Sequence, residues 1–318
     1  MALLINRRPI VPTLLAAIIA VSAVAGGVSA EAADRDGRLT IDGRMRTYSM
    51  HIPDAAPPKG GFPLVLAFHG GGGQGARMRK LSGFDTLADS RGVIIVYPDG
   101  IDKHWNDGRS TIRNPQDDVG FVSALLNQLE VSAPVDTHRI YATGLSNGAL
   151  FAERLGCDLS TRIAAIAPVA GTLPSDIART CRPARRVAVL QIGGTADPIM
   201  PFDGGKVADF GGRGEGGVVS SVASTSNFWA IRNGCGSPTS VALRPIKPLD
   251  PTRIVRTRFS GCPVASPVEV LTVEGGGHTW PGGPNVAATF LVGHTSRQLD
   301  ASEAILDFFL ALPPDQSQ

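Results

Sequence analysis

No acidic residue precedes Glu31, no Cys-x-x-Cys pair occurs anywhere, and no internal repeat is visible in the 318 residues. Each absence removes a class of protein. Residues 1–30 carry Arg7 and Arg8, an uncharged stretch over 14–28, and then Val28-Ser29-Ala30, the basic, apolar, small-residue order of an export signal. Pro12 and Gly26-Gly27 interrupt the apolar run, keeping it below the ~20 residues a membrane span needs. The expectation is a signal peptide over 1–30, no stable membrane anchor, and one domain over 31–318. Removing Arg7 and Arg8 takes the formal charge of +2 to zero. A neutral chain offers no electrostatic footprint for nucleic acid or an anionic surface.

The four cysteines, Cys157, Cys181, Cys235 and Cys262, lack metal-site spacing, and an even set in an exported chain reads as disulfides. Of the three possible pairings the local one is preferred, Cys157 with Cys181 and Cys235 with Cys262. Each would close a loop of about 25 residues and contribute roughly 3 kcal/mol.

Against these absences stands a glycine-rich sequence, with 38 Gly, organised around Ile140-Tyr-Ala-Thr-Gly144-Leu-Ser146-Asn-Gly148-Ala-Leu-Phe151. Residues 140–143 read as a buried strand and 149–155 as a helix, with Gly-x-Ser-x-Gly between them. That order is a nucleophile elbow, in which the glycines let strand and helix approach and the serine hydroxyl stands clear.

Earlier in the chain, 46–53 alternates like an edge strand and 64–68 is a fully apolar strand. It runs into His69-Gly70-Gly71-Gly72-Gly73-Gln74-Gly75. Exposed amides of Gly70 or Gly71, with that of Asn147, would form an oxyanion hole, and His69 would shape that loop and border the substrate. The same glycines fit a dinucleotide fingerprint, Gly70-x-Gly72-x-x-Gly75, with Asp99 following the next strand at ribose distance. The export signal and Pro98 argue against it. Trp105 and Trp280, in loops beyond strand ends, are candidate apolar walls of a substrate site. Asp117 and Asp118 open a helix running to Leu129 and read as caps.

Strands at 163–169 and 187–192 follow the elbow helix, and the second ends in Gly193-Gly194-Thr195-Ala196-Asp197. Parallel strands gather their C-terminal ends at one edge, so Asp197 is the candidate acid, with Asp203 as the alternative. Of the six histidines, His278 hangs from a glycine-rich turn after the late strand 268–273, the setting a general base needs, with His294 as fallback. The segment 203–217 is glycine-rich and reads as a surface loop; 220–232 and 302–310 read as helices. The fold class that follows is α/β, the α/β-hydrolase fold, with a mostly parallel central sheet and helices on both faces.

Ser146, Asp197 and His278 come in the order Ser, Asp, His. Together with Tyr97-Pro98-Asp99-Gly100, Trp105-Asn106, Asp117-Asp118-Val-Gly120-Phe121, Gly194-Thr195-Ala-Asp197, Phe228-Trp229-Ala-x-x-Asn233-Gly234-Cys235 and Gly277-His278-Thr279-Trp280-Pro281-Gly282, they make the chain resemble the secreted polyhydroxybutyrate depolymerase and feruloyl esterase family of α/β-hydrolases over most of 38–310. The resemblance implies a carboxylic-ester hydrolase with that triad, acting on hydroxycinnamate or hydroxyalkanoate esters without metal or organic cofactor. The sequence shows no linker or separate polymer-binding domain, which favours soluble esters over solid polyester. A non-catalytic exported binding protein on the same fold, and a peptidase, are the remaining readings, and an intact triad weighs against the first.

Overall fold

The computed structural model describes residues 33–209 and 215–314; the segment expected to be a signal peptide lies outside them. Fully apolar runs such as Phe62–Phe68 and Ile94–Pro98, buried along their whole length, can only be satisfied with both faces covered. They become the middle of a ten-stranded sheet. Its strands are β1 (Ala33–Ile41), β2 (Arg44–Ile52), β3 (Phe62–Phe68), β4 (Ile94–Pro98), β5 (Val135–Leu145), β6 (Ala165–Val169), β7 (Ala188–Gly194), β10 (Pro238–Ala242), β11 (Arg253–Phe259) and β12 (Val268–Glu274). Two short strands, β8 (Gly205–Lys206) and β9 (Val218–Val219), pair separately.

The order across the sheet is β1-β2-β4-β3-β5-β6-β7-β12-β11-β10. The run from β4 to β12 is parallel, and antiparallel pairs close both edges. Helices α1 (Gly75–Ser82) and α2 (Phe84–Arg91) precede β4. They are followed by α3 (Asp118–Ser132), α4 (Asn147–Asp158), α5 (Ser175–Ala178), α6 (Val222–Asn233), α7 (Thr289–Val292) and α8 (Ala301–Leu310).

Side chains alternate across a strand, so neighbours on β3 serve different cores. Leu64, Leu66 and Phe68 pack toward α3, α4 and Trp229 of α6. Val65 and Ala67 pack with Met78, Phe84 and Phe309 of α1, α2 and α8. Helices therefore cover both faces, as the α/β-hydrolase expectation requires. The strand at 46–53 is not the edge: β1 pairs outside it along nine residues.

The cysteines pair as Cys157–Cys181 and Cys235–Cys262. Asp117 caps α3 by accepting from the Gly120 amide at 2.8 Å. Asp118 departs from the capping expectation. Its buried carboxylate takes Arg46 at 2.7 Å and the Asn106 amide at 2.7 Å. Burial still raises it above the ordinary carboxylate range, against those two partners.

Candidate active site

β5 ends at Leu145 and α4 begins at Asn147, leaving Ser146 alone in the turn. Its backbone has φ 58° and ψ −122°, a sparsely populated conformation that costs a non-glycine residue about 1–3 kcal/mol. Its side chain makes no cap bond to α4, so the hydroxyl is not consumed by the helix it starts. Glycine is required on both sides. A Cβ on Gly144 would sit 2.6 Å from the Gly148 carbonyl, and one on Gly148 would sit 2.4 Å from Phe68 O. Only a backbone without side chains lets α4 approach β3 this closely.

Asp197 follows β7, at the same edge of the sheet. One carboxylate oxygen, Oδ1, accepts from the Ile199 and Met200 amides, both at 2.8 Å. The other, Oδ2, lies 2.8 Å from Nδ1 of His278, and the two side chains are 2% and 8% exposed. The amides fix the carboxylate, and the carboxylate fixes the imidazole. Asp203 and His294, the alternatives, are both exposed; His294 uses its carbonyl to accept from the Gly277 amide at 2.9 Å, which holds the turn bearing His278.

Ser146, Asn147, His278 and the glycines 70–72 border one cleft of about 490 Å³. Gly70 is packed against the elbow, where an added Cβ would lie 3.5 Å from Ser146 Cβ. The remaining wall is mainly aliphatic, with Ile199, Met200, Val207, Val286 and Val292, and its polar members are His104, Arg109 and Glu215.

The three expected substrate contacts fall elsewhere. Trp105 is fully buried, stacked on Phe151 at 5.1 Å and edge-on to Phe68, and its Nε1 donates to His69 O at 3.0 Å. The indole fills the space beneath the elbow helix rather than facing the cleft. Trp280 is buried edge-on to Phe84, its Nε1 donating to Ser302 Oγ at 3.0 Å. His69 is 1% exposed and spends both ring nitrogens on backbone. Nδ1 donates to Gly70 O at 2.9 Å, and Nε2 accepts from the Gly100 amide at 2.9 Å. Burial lowers its pKa, in keeping with that neutral tautomer. None of the three lines the cleft: His69 and Trp105 support the glycine loop from inside, and Trp280 packs against α2 and α8.

Beneath the elbow lies a network that motif reading did not reveal. Asn147 Oδ1 accepts from the Trp105 amide at 2.8 Å, and its Nδ2 donates to Trp105 O at 3.0 Å and Asp107 Oδ2 at 2.8 Å. Asp107, fully buried, is gripped in turn by Nε and Nη2 of Arg109. The Arg109 guanidinium also donates to Gly216 O. The signal available in sequence was Trp105-Asn-Asp107-Gly-Arg109, polar residues following a tryptophan in a loop, but only the fold places them under Ser146.

Asp99 accepts from the Gly75 amide at 2.8 Å and from Thr47 Oγ1 at 2.7 Å. It thus ties down the glycine loop that a dinucleotide would need open. Among the described residues, Asp34, His51 and Asp85 come close enough to hold a cation, but Arg79 already bridges Asp34 and Asp85. That group sits by β1, β2 and α2, away from the cleft.

A mostly parallel sheet with a strained serine elbow, an aspartate–histidine pair at the same edge and a cleft over both defines an α/β-hydrolase. No protein-family model matches the chain. It is 34% identical over 290 residues to NocK of Nocardia uniformis subsp. tsuyamanensis, named as an esterase, covering 88% of this chain and 84% of that one. It is 28% identical over 280 residues to feruloyl esterase C of Emericella nidulans, covering 85% and 90%. Among solved structures, an acetyl xylan esterase from Aspergillus awamori superposes with a TM-score of 0.54 at 13% identity over 77% of this chain and 94% of that one, a likeness of fold. The chain belongs to the esterase family of α/β-hydrolases that includes NocK.

Proposed function

We propose that the chain is an exported serine carboxylic-ester hydrolase of the feruloyl or general soluble type, working through an acyl-enzyme on Ser146. The observation that carries this reading is the 2.8 Å contact of His278 Nδ1 with an Asp197 carboxylate itself fixed by two amides, beside a serine held at φ 58° in the same cleft.

In this reading Ser146 Oγ attacks the ester carbonyl while His278 Nε2 takes its proton. Asp197 holds the imidazole in the Nδ1–H tautomer and stabilises the cation that forms. The oxyanion meets the Asn147 amide and one from Gly70 or Gly71, and each such donor is typically worth ~3–4 kcal/mol. His278 returns the proton to the departing alcohol, then activates water to release the acid. Two disulfides support export, since such bonds persist in oxidising compartments; among the described residues no helix is long and apolar enough to cross a membrane.

The aliphatic wall of the cleft favours a second reading of the substrate, a soluble hydroxyalkanoate oligomer, because the tryptophans expected to flank an aromatic acyl group lie in the core. Hydrolysis of p-nitrophenyl acetate, methyl ferulate and hydroxybutyrate dimers, with Ser146→Ala alongside, tests both. Turnover abolished in the variant is expected, and the relative kcat/KM separates the acyl classes. Turnover that survives in Ser146→Ala would sink the mechanism.

A further inference from the structure

β7 is a central strand, buried along all seven residues, and strands covered on both faces read as unbroken apolar runs. Gln191 interrupts this one. Side chains alternate along a strand, so Gln191 lies on the same face as Val189, over the core that holds Ile166 and Trp229. It is fully buried, and Nε2 donates to Gly171 O at 2.7 Å. Its other amide atom, Oε1, has no partner among the described residues. A glutamine that buries an unpaired oxygen stabilises the fold less than an apolar side chain of its size would. Its role therefore lies in the one bond it makes.

That bond ends on the turn after β6, which backs the serine elbow. Val169 O accepts from the Ser146 amide at 3.0 Å, and the next residue, Ala170, donates its own amide to Ile192 O at 2.9 Å. Ala170 is held at φ 50°, a left-handed conformation uncommon for a residue with a side chain. Gly171 is wedged against the first turn of α4, where an added Cβ would lie 2.9 Å from Ser146 O and 2.7 Å from Ala149 Cβ. Beyond it, Thr172 Oγ1 donates to Ser220 O at 2.7 Å, and the Leu173 amide donates to Thr225 Oγ1 of α6 at 3.2 Å. The peptides behind Ser146 are thus tied to β7, and β7 is the strand that leads to Asp197.

We propose that Gln191 is a positioning residue for ester hydrolysis. By fixing the Gly171 carbonyl it holds the turn that backs Ser146, and so keeps the serine in register with the Asp197–His278 pair. It touches neither the substrate nor the reacting atoms. The inference rests on the reading of Ser146 as nucleophile.

Gln191→Met, in the oxidised chain, tests it by exchanging the amide for an apolar side chain of similar size. Gly171 O loses its donor, and the unpaired oxygen disappears with it. We expect kcat on p-nitrophenyl acetate to fall about tenfold while KM stays within about twofold. Inactivation of Ser146 by a phosphonofluoridate should slow by the same factor, with the melting temperature within a few degrees of wild type. In Gln191→Glu the buried carboxyl stays protonated near neutrality and can donate to Gly171 O, so most of the lost kcat should return, to fall again as pH rises. Should Gln191→Met fail to fold, Gln191→Glu decides alone: kcat that declines with pH relative to wild type, well below melting, supports the role, and parallel profiles overturn it. A kcat within about twofold of wild type in Gln191→Met, or equal losses in the two variants, also overturns it. Those outcomes leave the esterase reading standing as long as Ser146→Ala abolishes turnover; if turnover survives in Ser146→Ala, both fall.

Discussion

The side-chain amide of Asn147 donates to Asp107 Oδ2 at 2.8 Å, joining the residue after Ser146 to a fully buried carboxylate. Asp107 is in turn paired with Arg109, which borders the cleft. An oxyanion donor is useful only if its direction is fixed before reaction, and this network holds the residue whose amide is proposed to serve as one. In Asp107→Asn, one oxygen can still accept from Arg109 while the Asn147 contact is lost or reversed. We expect kcat on p-nitrophenyl acetate to fall about 10- to 100-fold with little change in KM. An unchanged kcat in folded protein would remove the positioning role.

Asp197→Asn isolates the acid from its scaffold. The amide oxygen can keep the bonds from Ile199 and Met200, while the NH₂ group then faces His278 Nδ1 and requires it to accept. That forces the other tautomer, with the proton on the nitrogen that the proposed mechanism uses as base. Activity is expected to drop by about 10³- to 10⁴-fold, with the melting temperature within a few degrees of wild type. Retention of more than a tenth of the activity would count against Asp197 as the orienting acid.

Glu153 lies on α4 behind the elbow, completely buried, with Oε2 accepting from Trp229 Nε1 at 2.7 Å and no partner for Oε1 among the described residues. Burial raises its pKa from 4.5 to about 8, the indole bond only partly opposing. The folded state therefore holds a proton that the unfolded chain releases above pH 4.5. Its contribution is fully present below that pH and is lost as pH rises to about 8, at up to ~1.4 kcal/mol per unit. Thermal melting from pH 5 to 9 should show this decline, and Glu153→Gln should flatten it. Equal slopes in the two proteins would mean Glu153 is ionised in the fold.

The turn at Ser146 and the pairing of Asp197 with His278 were legible because each is a backbone device with a local signature. Gly144 and Gly148 mark close approach, and Asp197 and His278 each follow a strand ending at the same edge. The lining of the cleft was not legible, because Trp105 and Trp280 in a loop sequence look the same whether the ring faces out or in. Their direction is decided by partners distant in sequence, Phe151 and Ser302. Ile199, Met200, Val286 and Val292 have no motif, and only the fold gathers them. The two edge strands β1 and β10 were missed because exposed edges carry weak apolar alternation, β10 being exposed throughout.

The inward turn of Trp105 gives opposite expectations for core and cleft. Replacing it with Ala deletes an indole stacked on Phe151 and its bond to His69 O, so it should cost about 3–5 kcal/mol of stability. Trp105→Phe retains the stack but not the bond, and should lower melting modestly while leaving the ratio of kcat/KM between methyl ferulate and a hydroxybutyrate dimer unchanged. Met200→Ala acts differently. Its side chain borders the cleft next to Asp197, and its backbone amide, which the substitution keeps, holds the acid. Widening the aliphatic wall should shift that ratio by about 10-fold toward the bulkier acyl group with little loss of kcat on p-nitrophenyl acetate. If Trp105→Phe moves the ratio and Met200→Ala does not, the substrate is read by the aromatic ring and not by the aliphatic wall.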